Sequence, residues 1–239
     1  MTPAPTWIAL CIAILAAPHA AIADDSRWGG SIAFASDAVL HGLSQSANRP
    51  ALQGDLHVRA AGGFVGAALT AAAQGDRRDA MAMVSVYVGS AVAPAPDWTL
   101  QWLLIHYDDL ARARPGRYAY DELLGSVGWR DRAVITLGAA PDRRLASRYG
   151  RVGDGLALSG DLTLHQSLPR GFAADAGLGY YDLQRVLGSG YRYWNIGLRW
   201  QRGDVELGLA WIGADARADR LIYDQPPARR GVGTLAWRF

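Results

Sequence analysis

The chain ends with the stretch VGTLAWRF, residues 232–239, and this stretch decides the fold more than any other. One face of the extended stretch carries Leu235, Trp237 and Phe239, and the other face carries small or polar residues. A period of two is that of a β-strand, and an aromatic end is typical of the last strand of a bacterial outer-membrane barrel. The same pattern also fits the terminal strand of a soluble β-sandwich, so the rest of the chain has to choose between them.

Composition favours strands joined by tight turns. Half of the 239 residues are hydrophobic, and 28 Gly accompany 9 Trp and 10 Tyr. Aromatic residues are enriched in strands and glycine in turns. The length alone fits either one all-β domain or one small α/β domain. The net charge of +2 gives no reason to expect a nucleic-acid partner.

The amino-terminal segment has the organisation of a secretory signal. Residues 8–17 form an apolar run that is too short to span a bilayer as a helix, and residues 21–23 supply an A-x-A cleavage site before Asp24. We therefore predict a signal peptide over residues 1–23 and a mature domain over 24–239. Residues 1–7 lack a positive charge, which leaves the true start open. The only Cys, Cys11, lies in the signal, so the mature chain suits an oxidising periplasm.

The mature chain divides into alternating segments of the length that a tilted strand needs to cross a bilayer. The segments are residues 27–36, 51–60, 63–72, 80–89, 98–107, 118–129, 133–140, 155–168, 172–181, 191–201, 205–213 and 232–239. They number about twelve, and an even number is typical of bacterial single-chain barrels. The fold predicted is therefore all-β, an antiparallel transmembrane β-barrel.

Short and long connections alternate along these segments. The short ones are residues 61–62, 93–97, 130–132, 169–171 and 202–204. The long ones are residues 37–50, 73–79, 108–117, 142–154, 182–190 and 214–230. Outer-membrane barrels have short periplasmic turns and long external loops, so both termini are predicted to be periplasmic.

Aromatic residues cluster near the ends of the predicted strands, as in the two girdles of a membrane barrel. The periplasmic girdle is predicted to contain Trp28, Phe64, Trp98, Trp129, Phe172, Trp200 and Trp237. The external girdle is predicted to contain Phe34, Tyr107, Tyr118, Tyr180, Tyr191, Trp194 and Trp211.

Alternation also assigns the two faces of each strand. Leu198 falls on an apolar face and Arg199 on the opposite, polar face. A charge at the bilayer midplane costs about 2–4 kcal/mol on the lipid side, so the polar face is expected to line the lumen. The lumen or pore-lining candidates are Asp55, His57, Arg59, Glu122, Asp161, His165, Asp175, Arg199 and Glu206. Their mixed signs predict no strong preference for anions or cations.

A motif near the amino terminus resembles the opening of the Gcw_chp family of proteobacterial outer-membrane proteins, which are grouped with TorF-type porins. The family's usual form is close to S-D-Y-x-F-R-G-x-S-Q-S, followed by P-A-x-Q-G. This chain has SDAVLHGLSQS at residues 36–46 and PALQG at 50–54. The matching motif residues include Ser36, Asp37, Gly42, Ser44, Gln45 and Ser46. Ala38, Leu40 and His41 replace two aromatic residues and an Arg.

The resemblance implies an outer-membrane barrel, with a porin as one option, and it supplies no substrate. The terminal Phe239 also resembles the signal that such barrels present to the outer-membrane assembly machinery. Residues 37–50 are predicted to form either a plug in the lumen or a plain external loop.

Catalytic and metal sites find little support in the sequence. His106 and Asp121 face outward on neighbouring strands, but Ser85 and Ser126 point inward, so a triad would lack its nucleophile. His57 and His165 lie on distant strands, so no metal and no cofactor are expected.

Three functions remain, because one fold can carry many. The first is passive diffusion of small polar solutes through a narrow channel in the outer membrane. The second is a non-conducting structural barrel, and the third is a lipid-modifying enzyme. The expected partners are outer-membrane lipid and lipopolysaccharide, the assembly machinery and small polar solutes.

Overall fold

The computed structural model describes residues 28–60, 62–72, 81–110, 119–147, 152–222 and 229–239. The predicted signal peptide (1–23), residues 24–27 of the predicted mature domain and the girdle position of residue 118 lie outside this range.

The described part of the chain contains fourteen strands, two short α-helices and one 3-10 turn at Pro169–Gly171. The strands are β1 (Trp28–Ala35), β2 (Val39–Leu40), β3 (Leu43–Ser44), β4 (Ala51–Ala60), β5 (Gly63–Ala72), β6 (Met81–Ala95), β7 (Trp98–Asp109), β8 (Tyr120–Trp129), β9 (Ala133–Ala146), β10 (Val152–Ser167), β11 (Phe172–Asp182), β12 (Tyr191–Arg202), β13 (Val205–Ala214) and β14 (Arg230–Arg238). The helices are α1 (Gln184–Leu187) and α2 (Ala216–Leu221).

Twelve of these strands close into one antiparallel barrel. Each strand pairs with its neighbour in sequence, from β4 to β14, and β1 lies between β14 and β4. The remaining two strands, β2 and β3, form a separate hairpin. The prediction of an all-β, twelve-stranded antiparallel barrel is confirmed.

The barrel closes between the first and last strands. Gly30 and Phe239 exchange two backbone hydrogen bonds, of 2.9 and 3.1 Å. A Cβ atom on Gly30 would lie 2.8 Å from the Phe239 ring, so glycine leaves the space in which that ring packs. The terminal residue therefore completes the seam as well as ending the chain.

The two rims of the barrel differ in the length of their connections. One rim carries the short turns, such as Pro96-Asp97, together with the start of β1 and the end of β14. We call it the turn rim. We call the opposite rim the loop rim. It carries the β2–β3 hairpin, α1 and α2.

Two strands of the barrel continue past a proline residue. Both β6 and β9 are longer than predicted. Pro94 and Pro141 fall where the register shifts, between Val92 and Ala95 and opposite Gly155 and Ala157. A bulge leaves a backbone position unpaired, so proline's missing N–H removes no ladder hydrogen bond there.

The exterior is apolar. On β12, the side chains of Trp194, Ile196 and Leu198 are 41%, 60% and 46% exposed, whereas Arg199, the residue after Leu198, is 4% exposed. The same alternation follows the other strands of the barrel. Large apolar side chains turned outward in a continuous belt fit contact with lipid.

Most aromatic girdle positions do face outward, but three predicted ones do not. Trp28, Trp98, Trp129, Phe172 and Trp237 are exposed near the turn rim, and Phe34, Tyr180, Trp194 and Trp211 are exposed on the outer face nearer the loop rim. Tyr107 and Tyr191 are buried in the interior, and Phe64 packs against the interior ring of Tyr87. An aromatic residue at a strand end can point outward or inward, and its position in the alternation of the strand decides which.

No helix in the described part of the chain is long and apolar enough to cross a membrane.

Candidate functional site: the barrel interior

The interior near the turn rim is polar and partly open. Several polar side chains that face inward there are half-buried rather than fully buried. They include Arg59, Gln101, Ser126, Thr136, Thr163 and Gln201. Since the outer faces of their strands are apolar, this exposure is to the inside of the barrel. We call this region the vestibule.

An ion-pair cluster borders the vestibule on one wall, and Arg199 on β12 is its centre. The Arg199 guanidinium donates to both carboxylate oxygens of Asp175, from Nε at 2.6 Å and from Nη2 at 3.0 Å. Glu206 Oε2 accepts from Arg199 Nη1 at 3.4 Å and from Arg238 Nη2 at 2.9 Å. The His165 ring lies with Nδ1 2.7 Å from Asp175 Oδ1. Two arginines therefore balance two acids, which is how buried charges are tolerated.

A second polar network lies on β4 and β6. The Tyr87 hydroxyl donates to Asp55 Oδ2 at 2.5 Å, and His57 Nδ1 is 3.0 Å from Asp55 Oδ1. Arg59 Nη2 is 3.3 Å from His57 Nε2. Arginine can only donate, so His57 accepts at Nε2 and donates from Nδ1 to Asp55. The tautomer of His57 is thereby fixed by its neighbours.

The interior near the loop rim contains the segment that carries the family-like motif. Residues 36–50 turn inward as the β2–β3 hairpin, which we call the inner hairpin. His41 and Gly42 connect its strands with φ values of +49° and +73°. Two successive residues with positive φ are the mark of a type I′ turn, the usual connection of a tight hairpin. His41-Gly42 is the tip of the inner hairpin.

The motif residues hold the inner hairpin together. Asp37 Oδ1 accepts hydrogen bonds from the hydroxyls of Ser44 at 2.6 Å and Ser46 at 2.7 Å. Asp37 Oδ2 lies 2.8 Å from the Arg230 guanidinium on β14. Asp37, Ser44 and Ser46 are buried to 2% exposure or less. Among the remaining motif residues, Gln45 pairs through its backbone with Ala38, and Ser36 with Gly233 on β14.

The tip reaches across the barrel to the far wall. The His41 ring stacks on the ring of Tyr181, with centroids 4.5 Å apart and planes inclined by 16°. Its Nδ1 is 3.0 Å from the Tyr193 hydroxyl, and its Nε2 is 3.7 Å from Glu122 on β8. The Tyr191 hydroxyl donates to the His41 carbonyl at 2.9 Å. A hairpin that starts between β1 and β4 and contacts β8, β11 and β12 blocks the interior at this level.

A cluster of aromatic and apolar side chains fills the interior around the tip. The rings of Tyr107 and Tyr120 stack at 4.6 Å, and the Arg143 guanidinium lies 3.7 Å above the Tyr120 ring. The loops add apolar side chains to the same cluster. These are Leu43 from the inner hairpin, Leu183 and Val186 beside and within α1, and Ala218 and Ile222 within and after α2. The loop-rim half is packed, unlike the vestibule.

The structure divides the predicted lumen residues between these two regions. Asp55, His57, Arg59, His165, Asp175, Arg199 and Glu206 belong to the networks nearer the turn rim. Glu122 and Asp161 belong to the surroundings of the tip, and Tyr193 joins them by donating to Asp161 at 2.5 Å. The loop-rim half also holds the apolar cluster, so Glu122 and Asp161 lie among aromatic and apolar side chains.

The interior tyrosines and the role of His41 were not predicted from the sequence. Tyr107, Tyr120, Tyr181, Tyr191 and Tyr193 all face inward. Alternation with outward neighbours such as His106 and Trp194 is the signal that assigns Tyr107 and Tyr193 to the interior. No sequence pattern pairs His41 with residues about 150 positions away.

The outward His–Asp pair forms, with Nδ1 of His106 2.8 Å from Oδ1 of Asp121. Both side chains are exposed on the outer face. Ser85 is buried and Ser126 bonds to Thr136 inside the barrel, so neither reaches the pair. No group of three His, Cys, Asp or Glu side chains in the described ranges is placed to hold a metal ion.

Sequence comparison places the chain in a family. A model described as "Bacterial protein of unknown function (Gcw_chp)" matches residues 20–236. The chain belongs to the Gcw_chp family. No curated protein matches the chain in sequence.

Solved porins share the fold of this Gcw_chp protein. The NanC porin matches with a TM-score of 0.55 at 9% identity, over 87% of this chain and 97% of that one. The KdgM porin, solved in complex with disordered oligogalacturonate, matches with a TM-score of 0.51 at 9% identity, over 89% and 98%. At this identity the likeness concerns the barrel and not the solute.

Proposed function

We propose that the protein is an outer-membrane channel for small polar solutes, which the inner hairpin closes at the loop rim. The observation that carries the proposal is the half-open polar vestibule, which runs from the turn rim towards the tip. A barrel that served only as a wall would gain nothing from burying Asp175, Arg199 and Glu206, because buried ion pairs are seldom more stable than apolar packing. Rows of charged and polar side chains around an aqueous space are what a solute path requires.

The solute class follows from how the interior charges are arranged. KdgM was solved with oligogalacturonate, which is a polyanion. Here Arg199 and Arg238 are paired with acids, Arg143 lies on an aromatic ring and Arg59 contacts His57. The balanced charges favour small polar solutes rather than polyanions.

The packed cluster around the tip favours a second candidate, a barrel that does not conduct. Leu43, Ile105 and Tyr191 are at most 2% exposed, as in a protein core. Under this alternative the inner hairpin is a permanent part of the core and never leaves it. An enzymatic role is not proposed, because His106 and Asp121 have no described nucleophile beside them.

Excision of the inner hairpin tests both candidates in one experiment. Residues 38–47 are replaced by a short Gly-Ser linker, and single-channel current is recorded in planar bilayers beside the unmodified protein. The channel proposal predicts a stable current in the excised protein and brief or absent openings in the unmodified one. Assembled, heat-modifiable barrels that pass no current without the hairpin would overturn it.

The proposal places the turn rim in the periplasm and the mature amino terminus at Asp24, after removal of residues 1–23. Membrane fractionation and amino-terminal sequencing of the native protein test this. Recovery of the protein in the soluble periplasmic fraction would contradict the location.

We also propose that Phe239 is read by the outer-membrane assembly machinery. Its ring packs on Gly30, and its backbone closes the seam. Phe239→Ala keeps the backbone pairing and removes the ring, so it should lower the amount of assembled barrel. Trp237→Phe, which keeps an aromatic ring two residues earlier, is the control. Unchanged levels of the Phe239→Ala protein would refute the assignment.

A further inference from the structure

The His41 ring at the tip lies between Tyr181, Tyr193 and Glu122. We call the space that the ring occupies the chamber, and its surrounding groups are those of a ligand-binding site. We propose that this chamber binds small flat organic cations of the imidazolium or guanidinium class, and that His41 is its tethered occupant. Binding itself does not depend on conduction. The inference rests on the proposed function only in holding that solutes meet the chamber on their way through the barrel.

The contacts around the His41 ring involve one of its faces and both of its nitrogens. One face of the ring lies on Tyr181, with centroids 4.5 Å apart. One ring nitrogen meets the Tyr193 hydroxyl at 3.0 Å, and the other faces Glu122 Oε1 at 3.7 Å. The ring of Tyr193 stands edge-on to the imidazole at 5.7 Å. An aromatic platform with hydroxyl and carboxylate groups at its edge suits a planar nitrogen base.

The charges around the chamber favour a cation. Glu122 and Asp161 supply two carboxylates. Asp161 is linked to the chamber by the hydrogen bond that its Oδ1 accepts from the Tyr193 hydroxyl at 2.5 Å. Arg143 is the positive group nearby, and it is engaged with Tyr120 and with the Tyr181 hydroxyl at 3.3 Å. The side chains around His41 thus include two acids and one arginine, so negative charge is in excess there. Poor solvent access strengthens the attraction of that charge for a cation.

The occupant can be removed without remaking the backbone. His41 has a φ of +49°, in the left-handed region that glycine adopts freely. His41→Gly therefore deletes the ring and relieves rather than adds backbone strain. The hairpin keeps the hydrogen bonds that Asp37 accepts from Ser44 and Ser46. The expected product is an empty chamber behind an intact hairpin.

Free imidazole is the probe for the empty chamber. Full-length His41→Gly protein in detergent is heated with increasing imidazole at a pH at which imidazole is protonated, and the midpoint of barrel unfolding is followed by heat-modifiability on a gel. We expect the midpoint to rise with half-saturation on the order of 1 mM, and the unmodified protein to show no such rise. Pyrazole, a neutral ring of the same size, should bind about tenfold more weakly.

Two further variants show where the probe binds. Leu43→Ala opens an apolar gap elsewhere in the inner hairpin and should not respond to imidazole. Glu122→Gln in the His41→Gly background should reduce imidazole affinity about tenfold while leaving pyrazole unchanged. His41→Ala repeats the test if the glycine variant assembles poorly.

The outcomes separate this inference from the proposed function. Equal shifts with imidazole and pyrazole would overturn the cation assignment. Absence of a shift in both the His41→Gly and His41→Ala proteins would overturn the site. Current through the same proteins is a separate measurement, so a barrel that binds imidazole without conducting would refute the channel and leave the site intact.

Discussion

The two halves of the barrel interior differ in how their inward-facing side chains are accommodated. Near the turn rim, charged side chains neutralise each other on the wall and leave a partly open vestibule. Near the loop rim, the inner hairpin and the tyrosines pack together in the interior. The wall strands are the same in both halves, so the difference comes from the connections. Loops long enough to fold back carry their own side chains inside, whereas short turns cannot.

This difference separates what stabilises the barrel from what closes it. The ion-pair cluster joins neighbouring strands β10 to β14, so its loss should affect the wall. The tip joins a loop to the far wall, so its loss should affect passage through the interior. The predictions below test this separation.

The largest effect is expected at Arg199. Arg199→Met leaves the buried carboxylates of Asp175 and Glu206 without their shared partner and should lower the free energy of unfolding by about 3–5 kcal/mol. Urea unfolding in detergent or lipid measures this. Arg59→Met, at a half-buried position, is the control and should cost less than about 1 kcal/mol.

A second substitution that restores the charge balance tests whether the lost stability comes from unpaired carboxylates. Adding Asp175→Asn to Arg199→Met removes one of the uncompensated carboxylates and should recover part of the loss. A loss below about 1 kcal/mol for Arg199→Met alone would mean that water solvates the carboxylates, and the cluster would then not be what stabilises the wall.

The next effect concerns closure, and two glycines form a matched pair. Gly42 and Gly62 have φ values of +73° and +79°, so a side chain strains the backbone at either position by about 1–3 kcal/mol. A Cβ on Gly42 would lie 2.5 Å from Tyr193 Cβ, whereas nothing lies within 4 Å of one on Gly62. Gly42→Val should unseat the tip and increase bilayer current severalfold. Gly62→Val should leave the current unchanged, and equal currents in both variants would contradict closure by the tip.

The smallest effect is expected in the vestibule. Gln101 faces inward, is half-buried and lies outside both polar networks. Gln101→Glu should shift ion preference towards cations and Gln101→Arg towards anions, since a charge beside a narrow aqueous path acts through a low-dielectric wall. Stability should change by less than about 0.5 kcal/mol. Reversal potentials in a salt gradient, recorded with the hairpin excised, measure the shift, and identical potentials would place Gln101 off the path.

Sequence alone predicted the barrel and the faces of its strands. Leu198 and Arg199 were assigned to opposite faces from alternation, and their exposures of 46% and 4% agree. The number of strands followed from the same local pattern, because side-chain direction alternates whatever the partner strand is. Strand ends were less predictable. The strands predicted over residues 80–89 and 133–140 continue to Ala95 and Ala146, through bulges that contain Pro94 and Pro141.

The contacts inside the barrel were decided only by the tertiary structure. The sequence showed that Asp37, Gly42, Ser44 and Ser46 form a motif, but it left a plug and a plain loop as equal alternatives. The inner hairpin is a plug because Tyr181, Tyr193 and Glu122 meet its tip from strands far away in sequence. Such contacts depend on the stagger of the strands around a closed barrel, and the alternation along one strand contains no information about that stagger.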